Sequence, residues 1–259
     1  MKKVLIALIA IPAFFWMLWI AFPKTSIEST IKDYINDKKS GAEMEGIRKG
    51  LFYSFSADSL KLNSSGNEQV SINGIHACIN PLAMILFRMD VSFQGSIGGG
   101  DISGRINRRG NKMQIEINFE NANIGEIAFF RIAGIQGTGN VSGEFSLIDG
   151  NGHVEFFTTD ASFEPAIFSG VTVPLNYFHS VKGAMDIKGN IINVVSVAFE
   201  GKDIYSRMTG SIKDKVADLN MEIMPGKAFV ENPLFNSLME KYKISPGYYV
   251  IPLKGTIKS

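Results

Sequence analysis

Apolar and polar side chains alternate along most of the chain beyond residue 46, and that period of two constrains the fold more than any other feature. Met113, Ile115, Ile117 and Phe119 stand against Gln114, Glu116, Asn118 and Glu120. The same parity sets Val91, Phe93 and Ile97 against Ser92, Gln94 and Ser96. It resumes at Phe145 and Leu147, at Val195, Val197 and Phe199, at Leu219, Met221 and Ile223, and at Tyr249, Ile251 and Leu253. Successive side chains of a strand point to opposite faces, so each stretch has one apolar face and one wet face. A dozen or more such stretches predict a mainly β chain. The expected form is an antiparallel sheet behind an N-terminal transmembrane helix and with a few short helices. Strand texture is expected from Leu51, Tyr53 and Phe55 onward.

Helices are few. Asn80-Pro81 followed by a compact apolar run to Phe87 has a cap residue and a proline at the first helical position. Asn123 to Ile132 and the stretch from Asn232 to Tyr242 read as two more. They are too small to cover a sheet of this size. Its apolar face must curl on itself, pack on a partner or hold an apolar ligand. The side chains expected on that face, as a candidate apolar groove, are Phe93, Ile97, Ile102, Ile115, Ile117, Phe145 and Leu147.

The stretch SIGGGDISGRI, residues 96–106, resembles a phosphate-cradling loop in its glycine content. Such a cradle needs a helix after the glycines, whose free N–H groups hold the anion. Here Ile102 to Asn107 alternates as a strand, and no Lys-Ser or Lys-Thr follows. The pattern also recurs. GGGDISG at Gly98, Gly100 and Gly104 is matched by GTGNVSG at Gly137, Gly139 and Gly143, and more loosely by GAMDIKG from Gly183, with Met185 in place of the second glycine. A repeated motif suits architecture better than a single cofactor site. These glycines are expected at hairpin corners, with φ > 0 at Gly100 and Gly139, and at side-chain-free points in the strands that follow.

Ahead of the strands, Val4 to Phe22 carries no charge, with Lys2 and Lys3 before it and Pro23-Lys24 after it. About 19 helical residues reach roughly 28 Å, enough to cross a bilayer core. Val4 and Leu8 lie in its first half, while Phe15, Trp16, Trp19 and Phe22 crowd the second as an interfacial aromatic belt does. No small-x-small cleavage site precedes Pro23, so the segment reads as a retained anchor. The expected organisation is a cytoplasmic stub and anchor over 1–23, a juxtamembrane amphipathic helix over 24–40, and a periplasmic glycine-punctuated β domain over 41–259. The lysines place the N-terminus in the cytoplasm and everything after Phe22 outside it.

Little else in the sequence carries chemistry. The formal net charge is +1, and charged residues are 20% of the chain and scattered. That gives no electrostatic footprint for nucleic acid. The densest basic run, Arg105, Arg108, Arg109 and Lys112, surrounds an expected turn at Gly110-Asn111. Cys78 is the single cysteine, so neither an intrachain disulfide nor a thiolate cluster forms. His76, His153 and His179 are far apart, and His153 with Glu155 is the nearest approach to a ligand pair. No nucleophile-elbow or zinc-helix motif occurs, so the expectation is a protein without enzymatic activity, metal or cofactor.

The order of these pieces resembles the type II secretion system protein N family. The resemblance rests on the anchor ending in AFPKTSIESTI, on NPLAMILFRMDVSFQGSIGGGDISG, on FRIAGIQGTGNVSGEFSL, and on the closing YYVIPLKGTIKS. It covers nearly the full length. It extends to the wider AsmA-like group of periplasmic β proteins, which implies an anchor in the bacterial inner membrane and a long curled sheet, half-pipe or open-barrel-like, whose apolar inner face shelters lipid. It implies work in type II protein secretion or envelope transport and carries over no catalytic residue. Two roles follow from it: an accessory component that offers its β domain to other secretion-system proteins, or a lipid-binding half-pipe that holds the acyl chains of phospholipid. An exposed sheet edge would serve the first, and a continuous uncovered apolar face the second.

Overall fold

The computed structural model describes residues 13, 14, 16–21, 23, 25, 41–64, 67–127, 136–168, 171–173, 175–214, 216–231 and 233–256. Most of them are in strands. The first strands are β1 (Gly41–Glu45), β2 (Arg48–Lys49), β3 (Ser54–Ser64) and β4 (Asn67–Ile79). Helix α1 (Pro81–Ile85) leads into β5 (Arg88–Ile97), β6 (Gly100–Arg109) and β7 (Lys112–Asn123). Then come β8 (Gly137–Ile148), β9 (Asn151–Phe163), β10 (Ala166–Phe168), β11 (Val171–Val173), β12 (Phe178–Lys188) and β13 (Ile191–Gly201). The last are β14 (Ile204–Lys213), β15 (Val216–Pro225), helices α2 (Lys227–Val230) and α3 (Pro233–Met239), β16 (Lys243–Ser245) and β17 (Tyr248–Thr256).

Fifteen strands form one open antiparallel sheet, in which nearly every strand pairs with its neighbour in sequence. The small β10–β11 hairpin is set aside between β9 and β12, and β16 lies outside β17. The hairpin meander follows from the alternation. Each strand buries only one face, and a short turn brings the next strand into register with the same face inward.

The two rims of the sheet differ. At the near rim the turns are tight, through Gly110-Asn111, Asp149-Gly150 and Gly189-Asn190. Here α1 joins β4 to β5, with Asn80 capping it by accepting from the Leu82 N–H, as the sequence predicts. At the far rim the turns at Gly98-Gly99 and Lys202-Asp203 are tight, and the other connections carry α2, α3 and 3-10 turns at Ile124–Glu126, Leu175–Tyr177 and Glu240–Tyr242. Rings of Tyr177, Phe229, Phe235 and Tyr249 meet edge to face there at 4.9–5.7 Å. Tyr249 is 1% exposed and Val141 2%, so the driest part of the core is at this rim.

Register shifts interrupt the ladders of β4–β5, β7–β8, β8–β9 and β13–β14. Gly74, Asn121 and Asp160, all at positive φ, mark bulges on β4, β7 and β9, and Gly139, also at positive φ, is the single β8 residue opposite the β9 bulge. A bulge bends its strand and increases the local twist. Buried residues such as Ile75, Ala122 and Ala161 flank these positions.

Several expectations are corrected. The alternation at Leu51–Phe55 does not begin a strand at Leu51, because Gly50 donates to the Ser54 carbonyl and residues 51–53 form a bend. The β5–β6 corner is Gly98-Gly99, with φ of 53° and 72°, while Gly100 opens β6 with ordinary strand geometry. Gly137, Gly139 and Gly143 are not corner residues. All three lie in β8, where Gly139, at φ 108°, faces the bulge at Asp160 of β9. At the N-terminus, residues 16–21 are helical, and no helix among the described residues is long and apolar enough to cross a membrane. Val4, Leu8, Phe15 and Phe22 of the expected anchor lie outside the described residues. So does the helix expected over 24–40, apart from Thr25.

Candidate functional site

Strand register carries the apolar residues across the sheet in continuous rows. One row passes from Phe93 on β5 to Gly104, then to Ile117 on β7 and Phe145 on β8. It continues through Val154 and Met185 to Val194, and then through Gly210 and Leu219 to Leu253 on β17. A second row passes from Gly95 to Ile102, Phe119, Gly143 and Phe156. It ends through Gly183, Val197, Met208 and Met221 at Ile251. Ten strands at the usual spacing make each row about 45 Å long.

All seven sequence-predicted groove residues lie on this face. Phe93, Ile117 and Phe145 share the first row, Ile102 belongs to the second, and Ile115 pairs with Leu147 one step toward the near rim. Ile97 pairs with Ile72 and Gly100 toward the far rim. Ile102 is buried, whereas the other six are only half-buried. Gln114, Glu116, Asn118 and Glu120, on the opposite face of β7, are exposed.

The sequence does not reveal how glycine and phenylalanine fit together on this face. Gly104 lies directly across from Phe93, Gly143 sits between Phe119 and Phe156, and Gly183 is across from Phe156. A Cβ on Gly104 would come within 2.6 Å of the Phe93 ring, and one on Gly183 within 2.2 Å of the Phe156 ring. Each ring therefore covers a glycine on the adjacent strand and shields its bare backbone. The interstrand register that makes these pairs is fixed by turns and bulges.

Polar groups on the apolar face are used up by the backbone. Thr158 Oγ1 accepts from the Val181 N–H at 2.8 Å, filling a gap between β9 and β12. Ser206 Oγ donates to the Glu222 carbonyl at 2.8 Å. Neither hydroxyl faces a second titratable group. The ionisable clusters lie on the wet face. Asp90 takes two bonds from Arg105, at 2.7 and 2.6 Å, and one from Asn80, and the guanidinium holds its carboxyl below the usual range. His153 lies between Asp186 at 2.8 Å and Glu155 at 3.0 Å, and these carboxylates raise its pKa, Asp186 most. Among the described residues, no three His, Cys, Asp or Glu side chains are placed to hold a metal ion.

Two shallow recesses lie among the described residues. One, of about 420 Å³, is lined at the far rim by residues including Ile124, Gln136 and Phe163. The other, of about 350 Å³, is lined by residues including His76, Gln94, Arg105 and Glu116. The second also holds Cys78, Ser92 and Ser103 beside His76, but no hydrogen bond joins His76 to any of the three among the described residues. Comparison with protein-family models, curated proteins and solved structures returns no match. The broad apolar face is therefore the feature on which a functional reading rests.

Proposed function

We propose that the sheet curls about its apolar face into a half-pipe that holds the acyl chains of phospholipid, on a chain anchored in the bacterial inner membrane through Val4–Phe22. In this reading the protein is a non-enzymatic carrier in envelope transport or type II secretion, the setting implied by its resemblance to the protein N family and the AsmA-like group. One observation carries the proposal: two apolar rows cross ten strands and remain half-buried along much of their length, on a sheet whose α2 and α3 lie at the far rim and whose α1, at the near rim, turns its large side chains outward. Soluble proteins rarely leave apolar patches of more than a few hundred Å² to water. An acyl chain laid along the rows gains about 0.8 kcal/mol per buried methylene. The bulges supply the bend that a half-pipe needs.

The rival role, recruiting secretion-system proteins by strand addition, is disfavoured by both sheet edges. β1 is five residues long and carries Glu43 and Glu45. At the other edge β16 is three residues long, and the strand behind it, β17, has Pro252 at its centre with no N–H to donate. Short, charged or proline-bearing edges discourage pairing.

The test is mass spectrometry of lipid extracted from the purified full chain and from Ile117→Asp. Phospholipid should accompany the unaltered protein in near-stoichiometric amount and fall severalfold in the variant, with circular dichroism unchanged. Lipid-free protein, or equal lipid in both, would overturn the proposal.

A further inference from the structure

The near rim carries two features that the half-pipe does not use. The first is apolar. Leu82, Met84, Ile85, Leu86 and Phe87 on and after α1 point outward, with Leu82 70% and Phe87 97% exposed. Phe87 holds a φ of 53°, a conformation that a non-glycine residue seldom adopts. Beside them, in the bend before β3, Phe52 is 72% exposed. The two segments are joined where the Ile79 N–H donates to the Tyr53 carbonyl. The display is fixed in place: Asn80 caps α1 and is itself held by Asp90, whose carboxylate is clamped by Arg105.

The second feature is cationic. Arg88, the residue after Phe87, lies directly across from Arg109, and Arg109 lies directly across from Lys112. Three positive charges thus share one row on three adjacent strands. No described carboxylate forms an ion pair with any of them. Like charges placed opposite one another cost stability unless an anion lies between them.

The apolar N-terminal segment ends against this rim. Trp16 Nε1 donates to the Leu51 carbonyl at 3.2 Å and its ring stacks on Phe52, while Trp19 Nε1 donates to the Gly50 carbonyl at 3.0 Å. Lys49 Nζ donates to the carbonyls of Trp19 and Ile20. The rim is thus in contact with Trp16, Trp19 and Ile20, which belong to the stretch 4–22, whose composition suits a bilayer.

We propose that the near rim docks on the surface of an anionic phospholipid bilayer. The side chains after Asn80 and those of Leu51 and Phe52 enter the acyl boundary, and Arg88, Arg109 and Lys112 take the headgroup phosphates. The occupant is the leaflet into which the N-terminal segment runs, so the inference rests on the anchored reading above. An apolar wedge beside a basic row is the arrangement by which interfacial segments bind anionic membranes. Docking sets the β5 end of the apolar rows at the bilayer surface, where an acyl chain could pass from membrane to protein.

The test uses the full chain carrying Cys78→Ser, with an environment-sensitive fluorophore on a single cysteine at Phe87→Cys or, at the far rim, Glu164→Cys. The protein is reconstituted into phosphatidylcholine vesicles containing phosphatidylglycerol and a shallow doxyl-lipid quencher, then floated. The label at 87 should lose about half its emission or more while that at 164 is unaffected. Arg88→Gln, Arg109→Gln and Lys112→Gln together should abolish the difference. Equal, unquenched emission at both sites in floated protein would overturn the docking while leaving the anchor intact. Protein that does not float would overturn both, and the half-pipe would still be judged by its extracted lipid.

Discussion

A Cβ on Gly143 would lie 2.3 Å from the Glu155 carbonyl oxygen and 2.8 Å from the Phe119 ring, with backbone on one side and a packed aromatic on the other. Gly143→Ala should therefore destabilise the domain by about 2–4 kcal/mol, since neither neighbour yields cheaply. Gly110 makes the contrast: at φ +60° it has open space around it, so Gly110→Ala should cost only about 1 kcal/mol of backbone strain. Urea titrations of the two variants would measure the difference. His153 supplies a pH signature. Its folded pKa is raised by Asp186 and Glu155, so its contribution is fully present below the unfolded value of about 6.5 and is lost as pH rises through the higher folded value. With a side chain 40% exposed, screening keeps that contribution under about 1 kcal/mol. Thermal melts from pH 6 to pH 8 should show a decline that His153→Gln flattens.

Among the elements, α1 was the most legible, because cap, proline and apolar run all lie within a few residues of each other. Its cap has a measurable role. Asn80→Ala should cost about 1 kcal/mol and loosen α1, read as faster amide exchange at Leu82 to Leu86. The strands were legible by parity, and parity alone put all seven groove residues on one face. What escaped was set by contacts distant in sequence. Leu51–Phe55 alternates like a strand, yet the turn closed by Gly50 and Ser54 and the tryptophans bonded to the Gly50 and Leu51 carbonyls hold it as a bend. The bulges at Asn121 and Asp160 carry no glycine to announce them. The glycine motifs looked like corners because glycine is permissive wherever backbone comes close. Only the register distinguishes Gly98-Gly99, which turn the chain, from Gly104 and Gly143, which lie beneath rings.

At the scale of the whole molecule, the sheet separates two environments. Its far rim is sealed by short helices and aromatic contacts, and substitutions there should behave as in any dry core. Tyr249→Ala, at 1% exposure, should cost about 3–5 kcal/mol and abolish cooperative melting if the margin is small. The apolar rows between the rims are half-buried along much of their length, which is the basis for reading them as a lipid-holding surface. A photocrosslinking residue placed in cells at Phe93 or Ile117, against Gln94 or Asn118 on the wet face, tests that reading most directly. Lipid adducts are expected at Phe93 and Ile117 and none at Gln94 or Asn118. Adducts at neither pair of positions, together with a cooperative loss of fold when Asp replaces Ile117, would contradict it and show that the sheet closes into a dry core.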